Sequence, residues 1–455
     1  MAKISKRQTS PAKKQIWPGL FSGLTGIFFA VALLKFGNPV IFNDKIAEPT
    51  DIYELIFQPW PTKWGYAFIA ILAVVGIKIA KWNFSPNRKS VFWLLLPLVW
   101  LAWQFVSATK TVDLALTQSA VKHFVICVAS FYLGWFCLSQ IQNFRPLFFG
   151  LLLGFGLVVI TGLQQHFGGL EETRQFFYQQ PDWREYPPEF LKKVSSTRIF
   201  STLFYPNTLA AAILLFLPIS IIGLWALSSR ASFAMRCSLV GLLSFSALAC
   251  LFWSGSKSGW LLLLLLGLVS LLQLRFSPVV KKWLVLSLLL LGLGGFAVKY
   301  AAFFQRGATS VVARFDYWRA ALEITKQNPL LGTGPGTFFI PYQKIKAPEA
   351  EMARLCHNDY IEQASDSGLV GFLSFTTLIF GSLAILRKPK GNLPDPFRFC
   401  VWLGVAGISL HSLVEFNFYI PAIAWPTFLL LGWLWGTHAQ ETIRQGLPGF
   451  VSSSR

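Results

Sequence analysis

The chain has 455 residues, of which 54% are hydrophobic and 13% are charged. A soluble domain carries about 25% charged residues, so this composition excludes an ordinary soluble protein. The net charge of +20 raises the possibility of a nucleic-acid-binding protein, but the distribution of that charge along the chain argues against this class.

Apolar runs of about 20 residues recur along the chain, and most are long enough to cross a bilayer as a helix. They predict an all-α integral membrane protein that forms a single domain over residues 1–455, with about twelve transmembrane helices. The predicted spans cover residues 16–36, 64–80, 91–107, 119–139, 146–166, 207–227, 237–253, 259–274, 283–303, 358–386, 399–413 and 420–437.

The basic residues lie mainly on one side of these spans. If the N-terminus is cytoplasmic, the segments on that side hold 20 Lys and Arg against 2 Asp and Glu, whereas the opposite loops hold 16 against 15. An excess of Lys and Arg in cytoplasmic loops is the usual pattern of multi-span proteins. The charge therefore predicts orientation, with both termini in the cytoplasm, and no nucleic-acid partner.

Two long outer loops are predicted, at residues 167–206 and 304–357, and the second lies between the ninth and tenth spans. Within it, residues 314–328 have the apolar spacing of an amphipathic helix that ends before Pro329. We expect this helix to lie along the outer membrane surface, with Trp318 toward the acyl chains. Its predicted apolar face consists of Phe315, Trp318, Leu322 and Thr325.

A glycine-rich segment, Gly332-Thr-Gly-Pro-Gly336, follows this helix. Its glycines allow backbone conformations that other residues rarely adopt, which favours a tight turn. The alternative is a nest of backbone amides that binds a phosphate. The segment is not a Walker loop, because no Gly-Lys-Ser/Thr follows.

Five polar side chains are predicted on the outer side: Arg198, Lys257, Arg314, His357 and Glu415. Cations at a bilayer surface suit a diphosphate, because Arg offers paired donors to phosphate oxygens and Lys a compact charge. Fixed cations also stabilise the negative charge that develops on a sugar-diphosphate leaving group. A histidine can remove the proton from an attacking hydroxyl. The alternatives are that the cations bind lipid headgroups and that His357 caps a helix.

Asp366 is less simple to place. It lies nine residues after His357, about half a turn around the same helix and deeper in it, so it is not positioned to orient His357. A carboxylate at that depth is costly, and we therefore expect it to meet a partner from another span.

One motif points to a family. His357-Asn-Asp-Tyr-Ile, followed by Asp366, Gly368 and Gly371, resembles the signature of the O-antigen ligase and polymerase superfamily. Three further segments resemble landmarks of that family in the same order: Phe204-Tyr-Pro-Asn-Thr-Leu-Ala210, Ser254-Gly-Ser-Lys-Ser-Gly259, and the stretch from Arg314 and Trp318 to Phe338. The resemblance covers residues 198–421. In two departures, Lys257 stands where the family commonly has Arg, and Asp366 where Glu is common.

The resemblance implies a bacterial membrane glycosyltransferase of the GT-C type. The implied donor is an undecaprenyl-diphosphate-linked glycan, and the implied acceptor is a lipid or glycan hydroxyl at the outer, periplasmic face of the cytoplasmic membrane. His357 resembles the histidine that activates the acceptor, and Arg314 an arginine on the diphosphate side. Arg198 and Lys257 are then further diphosphate contacts. The implied supporting residues are Asn207, Trp318, Asn358, Asp366 and Glu415.

No cofactor or metal ion is expected. The family is described as working without a metal, and the outer side has no His and Asp cluster at ligand spacing. The six cysteines include no CxxC pair, so neither a disulfide framework nor a zinc site is predicted.

The acceptor decides among several related activities. Transfer to lipid A-core would make the protein an O-antigen ligase, which is the favoured prediction. Transfer to another lipid-linked repeat would make it a polymerase, and transfer to a protein Ser or Thr an oligosaccharyltransferase. Two alternatives of other classes are a small-anion (bicarbonate) transporter and a noncatalytic scaffold for surface-polymer assembly.

Overall fold

The computed structural model describes residues 16–81, 88–179, 183–185, 191, 194–387 and 395–446, and within these ranges it contains helices and no strand. This confirms the predicted all-α class. The α-helices are α1 (Ile16–Lys35), α2 (Ile52–Phe57), α3 (Thr62–Ile77), α4 (Arg88–Ala108), α5 (Leu114–Phe136), α6 (Arg145–Gln164), α7 (Leu170–Tyr178), α8 (Pro206–Leu227), α9 (Phe233–Ser254), α10 (Lys257–Gln273), α11 (Pro278–Gln305), α12 (Thr309–Gln327), α13 (Phe339–Ile345), α14 (Asp359–Thr376), α15 (Ser382–Leu386), α16 (Pro396–His411) and α17 (Pro421–Gly446).

Each predicted span falls on one of these helices, except that span 358–386 covers both α14 and α15 and the π-helical segment Thr377–Gly381 between them. By length and composition, 8 helical segments of the described chain can cross a membrane: Ile16–Lys35, Val91–Ala108, Leu114–Gln140, Arg145–Gln175, Pro206–Leu227, Phe233–Ser254, Pro278–Gln305 and Asp359–Leu386. The helices α3 and α10 are apolar but shorter. A multi-span helical membrane protein is thus confirmed, whereas the count of twelve spans stays a prediction.

Short polar side chains mark where several helices begin. Asp113, Ser232, Ser256, Ser277 and Asp395 each accept a hydrogen bond from the backbone N–H three residues further along. Such a side chain satisfies one of the N–H groups that a helix leaves without a partner at its first turn. The helix starts are therefore determined locally by the sequence.

The centre of the bundle is built on close contact between helices. A Cβ added to Gly134 of α5 would collide with the backbone of Leu429 in α17, and one added to Gly432 would collide with the carbonyl oxygen of Phe131. Small residues let membrane helices approach this closely. In contrast, only 6% of the apolar window of α11 is buried, against 67% for α8, so α11 lies at the periphery.

The helix predicted within residues 304–357 is present as α12, which begins at Thr309 and ends at Gln327. Its packed face differs from the predicted one, because Tyr317, Ala321 and Ile324 are buried against the protein. Phe315 and Leu322 of the predicted apolar face are instead 54% and 49% exposed. Thr325, on the same predicted face, is buried, so contact of this helix with the membrane stays a prediction.

After α6 the chain turns at Gly168, whose backbone φ is positive, and then forms α7. Within the predicted first outer loop, residues 180–182, 186–190 and 192–193 lie outside the described residues. The same holds for residues 1–15 and 447–455, which carry much of the charge used to predict the orientation of the termini.

Candidate active site

Glu415 lies at the centre of a polar cluster, on the loop that joins α16 to α17. Its side chain is 4% exposed. Its Oε1 atom accepts hydrogen bonds from Nη2 of Arg314 and Nδ2 of Asn207, and its Oε2 atom lies 3.1 Å from Nδ1 of His357. One carboxylate thus joins α8, α12 and the segment before α14.

The cations around Glu415 determine its charge. Burial alone would raise the pKa of this carboxyl, but Arg314 and His357 outweigh burial and hold the pKa well below its usual range. The group is therefore a carboxylate at neutral pH, and a carboxylate only accepts hydrogen bonds.

This carboxylate also determines the tautomer of His357. Because Glu415 can only accept, Nδ1 of His357 carries the hydrogen between them. The Nε2 atom of the neutral ring then has a free lone pair and can take a proton from another molecule. The ring lies between Tyr317, with centroids 5.8 Å apart, and Phe416, with centroids 4.7 Å apart. The side chain is 27% exposed, so it is oriented and still reachable.

The backbone of His357 is held in an unusual conformation. Its φ of 54° lies in the left-handed region, which is uncommon for residues other than glycine. Trp318 donates a long hydrogen bond of 3.4 Å from Nε1 to the carbonyl oxygen of His357. The next residue, Asn358, caps α14 by accepting hydrogen bonds from the backbone N–H groups of Tyr360 and Ile361 at 3.0 and 3.2 Å. The alternative in which His357 caps this helix is therefore wrong.

Arg314 uses part of its guanidinium to hold the loop of Glu415. Besides its ion pair with Glu415, it donates from Nε to the carbonyl oxygen of Val414 at 2.9 Å and from Nη1 to that of Ser310 at 2.8 Å. An arginine has five N–H donors, so these three bonds leave two free for a ligand. Arg314 can therefore both position Glu415 and contact an anion.

Arg198 and Asn207 extend the cluster on the other side. Arg198 donates from Nη2 to Oδ1 of Asn207 at 2.9 Å, and the amide nitrogen of Asn207 donates to Glu415. Arg198 also donates from Nε to the carbonyl oxygen of Ser254 at 2.7 Å. Burial lowers the pKa of Arg198 and the charge of Arg314 lowers it further, while Glu415 and Tyr300 oppose this effect. The two arginines and Glu415 thus share one electrostatic environment.

Gly255 makes room for Arg198. It ends α9 in the left-handed conformation, with a φ of 64°, and a Cβ there would lie 3.1 Å from Nε of Arg198. We expect Gly255→Ala to displace the Arg198 side chain and to add about 1 kcal/mol of backbone strain. The glycosyl transfer expected from the sequence should then fall about tenfold. The control is Gly241→Ala in the same helix, where the added Cβ meets nothing within 4 Å. Equal activities of the two variants in an in vitro transfer assay would contradict this role for Gly255.

Lys257 stands apart from Glu415. Its Nζ atom lies 3.7 Å from the ring centroid of Phe303 and 5.2 Å from that of Tyr300. No hydrogen bond or salt bridge joins it to Glu415 among the described residues. It is nevertheless three residues from Ser254, whose carbonyl oxygen binds Arg198, so its charge lies on the Arg198 side of the cluster.

Asp366 lies elsewhere and has a different partner from the one expected. Its carboxylate accepts hydrogen bonds from the backbone N–H groups of Gly336 at 2.7 Å and Phe338 at 3.0 Å, and from the Tyr419 hydroxyl at 3.0 Å. The partners are thus loop amides and a loop tyrosine, not a side chain of another span. Since Asp366 occupies these amides, the structure supports the tight-turn interpretation of residues 332–336.

Replacement of Asp366 by asparagine should loosen this turn. The asparagine amide would direct an N–H group at one of the three donors, and an unpaired buried donor costs about 1–3 kcal/mol. We expect Asp366→Asn to lower the thermal unfolding midpoint of the detergent-solubilised protein by several degrees. Asp316→Asn, the same change at a half-exposed position on α12, is the control. An unchanged midpoint for Asp366→Asn would mean that the turn does not depend on this carboxylate.

The potential metal ligands of the chain are scattered. Within the described ranges, no group of three or more His, Cys, Asp and Glu is placed to hold a metal ion. The cysteines at positions 127, 137, 237, 250, 356 and 400 are free.

The bundle and the cluster together define a multi-span helical membrane protein with a histidine–carboxylate pair beside several cations. Residues 242–376 match the family described as O-Antigen ligase. The match confirms the predicted resemblance to the O-antigen ligase and polymerase superfamily over these residues, and it supports a membrane enzyme of that type with a glycosyltransferase-like activity. No protein of curated function matches the chain.

The matched stretch and the cluster overlap only in part. Lys257, Arg314 and His357 lie within residues 242–376, whereas Arg198, Asn207 and Glu415 lie outside them. The placement of the last three residues therefore depends on the geometry described above.

Four residues that flank the cluster were not predicted from the sequence. Tyr317 and Phe416 enclose the His357 ring, and Lys299 and Tyr300 lie beside Lys257. A signal existed for Lys299, a lysine within an apolar run. Its position near the end of that run is also typical of an interfacial lysine.

Proposed function

We propose that the protein transfers an undecaprenyl-diphosphate-linked glycan to an acceptor hydroxyl, and that it acts as an O-antigen ligase with lipid A-core or a similar molecule as acceptor. The observation that carries this proposal is the pairing of His357 with an ionised Glu415 beside Arg314. It provides a base and fixed positive charge within one cluster.

The acceptor hydroxyl gives its proton to Nε2 of His357 as its oxygen attacks the anomeric carbon of the donor. The bond between that carbon and the diphosphate oxygen breaks, and the diphosphate leaves with the electron pair. Glu415 stabilises the imidazolium that forms, because it already accepts the Nδ1 hydrogen. A single displacement of this kind inverts the configuration of the anomeric carbon.

The cations act on the leaving group. The free N–H groups of Arg314, together with Arg198 and Lys257, neutralise the charge that grows on the diphosphate oxygens. Asn207 links Arg198 to Glu415, so hydrogen bonds connect the cations on the leaving-group side to the carboxylate on the base side. The mechanism requires no cofactor and no metal ion.

The proposed location is the bacterial cytoplasmic membrane, with both termini in the cytoplasm and the cluster at the outer, periplasmic face. The positive-inside distribution of Lys and Arg supports this orientation. The transport alternative loses support, because the three hydrogen bonds to Asp366 give that deep carboxylate a structural role.

The test is complementation in the native host. The gene is deleted and restored, and surface polysaccharide and undecaprenyl-linked glycan are measured side by side. A ligase requires that the deletion strain accumulates long polymer on undecaprenyl diphosphate and places none on lipid A-core. Accumulation of single repeats identifies a polymerase instead, and loss of glycan from proteins alone an oligosaccharyltransferase. Unchanged glycans would leave transport or scaffolding as the function.

A further inference from the structure

Tyr300 is an unusual residue of α11. The helix is exposed along almost its whole length, yet Tyr300 is its one buried residue, at 6% exposure. Its hydroxyl is buried and has no hydrogen-bond partner among the described residues. Leaving such a group without a partner costs about 1–3 kcal/mol, which suggests that a ligand completes it.

Two lysines lie beside the ring of Tyr300. The Nζ atoms of Lys257 and Lys299 are 5.2 and 5.5 Å from its centroid. Lys299 also lies over the ring of Phe252 and donates to the carbonyl oxygen of that residue. Neither lysine forms a salt bridge in the part of the chain that the structure describes. Aromatic rings contact both ammonium groups, and that of Lys299 also binds a carbonyl oxygen, so neither is neutralised by a carboxylate.

Arg198 adds a third cation to the same place. It binds the carbonyl oxygen of Ser254, in the turn that leads into Lys257. The nearest carboxylate in the cluster, Glu415, already forms ion pairs with Arg314 and His357. Like charges in a partly buried place repel one another strongly, so three cations around one unpaired hydroxyl form a site for an anion with several acceptor oxygens.

We propose that Arg198, Lys257, Lys299 and Tyr300 form a subsite for the phosphate of the donor that is nearer to its lipid, with Lys299 and Tyr300 as positioning residues for that phosphate. This inference rests on the proposed function. The phosphate that bears the sugar must lie by His357 and Arg314, where the glycosidic bond breaks. The second phosphate then reaches the Tyr300 hydroxyl, and the isoprenoid chain leaves along the exposed apolar face of α11.

The geometry distinguishes this subsite from an ordinary lysine at a membrane surface. A lysine near the end of a span usually extends its ammonium group toward lipid headgroups. Lys299 instead contacts α9 through the ring and carbonyl of Phe252, on the side where Lys257 lies. A phospholipid phosphate and a donor phosphate share their chemistry, so the experiment separates the two.

The experiment measures binding rather than turnover. Full-length protein in phosphatidylcholine nanodiscs is titrated with farnesyl diphosphate and with farnesyl monophosphate. We expect Lys299→Gln to weaken farnesyl diphosphate binding about tenfold, because it removes a positive charge, and Tyr300→Phe about threefold, because it removes a hydroxyl donor. The monophosphate keeps the phosphate next to the lipid and lacks only the outer one, so both variants should weaken its binding by similar factors. Lys282→Gln, at an exposed position near the other end of α11, should leave both affinities unchanged.

Each other outcome counts against a specific part of the proposal. If the wild type binds farnesyl diphosphate and both variants bind it equally well, the subsite is wrong while the proposed function stands. If phosphatidylglycerol in the nanodiscs displaces the probe from wild type but not from Lys299→Gln, the cations form a lipid-headgroup site, which also overturns the subsite. If wild type binds no isoprenoid diphosphate, the proposed function itself fails. Tyr300→Phe keeps the shape of the ring, so it tests the subsite even if Lys299→Gln does not fold.

Discussion

Replacement of His357 by alanine is expected to lower glycosyl transfer by about 10²–10⁴-fold, the usual contribution of a positioned general base. The reason is the geometry of the ring, whose Nδ1 faces an ionised Glu415 and whose Nε2 is left to take the acceptor proton. The fold should persist, because the side chain is 27% exposed and Glu415 keeps its hydrogen bonds to Arg314 and Asn207. The measurement is single-turnover transfer by purified protein with a lipid-linked donor.

The control for this variant is His166→Ala. His166 is an exposed histidine in the turn that follows α6, where its ring stacks on Trp253, and it is not part of the cluster. Its replacement should leave transfer within about twofold of wild type. If His357→Ala retained more than about a tenth of wild-type activity, with normal expression and unfolding midpoint, the role of general base would be excluded.

The second large effect is expected for Glu415→Gln. Glutamine keeps the shape of the side chain, but its NH₂ group must face a donor, either Arg314 and Asn207 at one oxygen position or His357 at the other. Arg314, with its side chain 16% exposed, also loses its counter-charge. Removing one partner of a buried ion pair costs about 3–5 kcal/mol, and the misoriented His357 should lower transfer by a further amount comparable to that of His357→Ala.

The loss of stability in Glu415→Gln should depend on pH in a defined direction. The folded protein holds the pKa of Glu415 well below the ordinary value, because Arg314 and His357 outweigh burial. The carboxylate therefore stabilises the fold fully above the ordinary carboxyl pKa of about 4.3, and this stabilisation is lost as the pH falls below that value. The difference in unfolding midpoint between wild type and variant should be largest at neutral pH and smaller at about pH 3.

An exposed glutamate provides the comparison. Glu349 is exposed and lies within the predicted second outer loop. The unfolding midpoint of Glu349→Gln should equal that of wild type at every pH. If Glu415→Gln behaved in the same way, Glu415 would not be the ionised centre of the cluster. If its stability loss grew in acid, the carboxyl would be protonated in the native state, and Arg314 and His357 would not outweigh its burial.

Much of the fold could be predicted because its causes are local. Twenty consecutive apolar residues satisfy their own backbone hydrogen bonds only as a helix inside a bilayer, so the span sequence and the all-α class follow from hydropathy alone. The helix starts at Asp113 and Ser256 also have a local cause, because each side chain accepts a hydrogen bond from the backbone N–H only three residues further along the chain. The surface helix was also predicted, but its buried face was not, since that face depends on what packs against Tyr317 and Ile324.

The amino-acid sequence by itself determined the membrane class, the helices and the identity of the motif residues Arg314 and His357. Only the tertiary structure decided that Glu415 joins them, because the carboxylate is 58 residues from His357 and 208 from Asn207 along the chain. Such contacts depend on how α8, α12 and the loop before α17 pack together, and no local spacing encodes that. Helix packing also places Asp366 away from the cluster. The carboxylate of Asp366 faces the glycine-rich turn, where it accepts hydrogen bonds from backbone N–H groups.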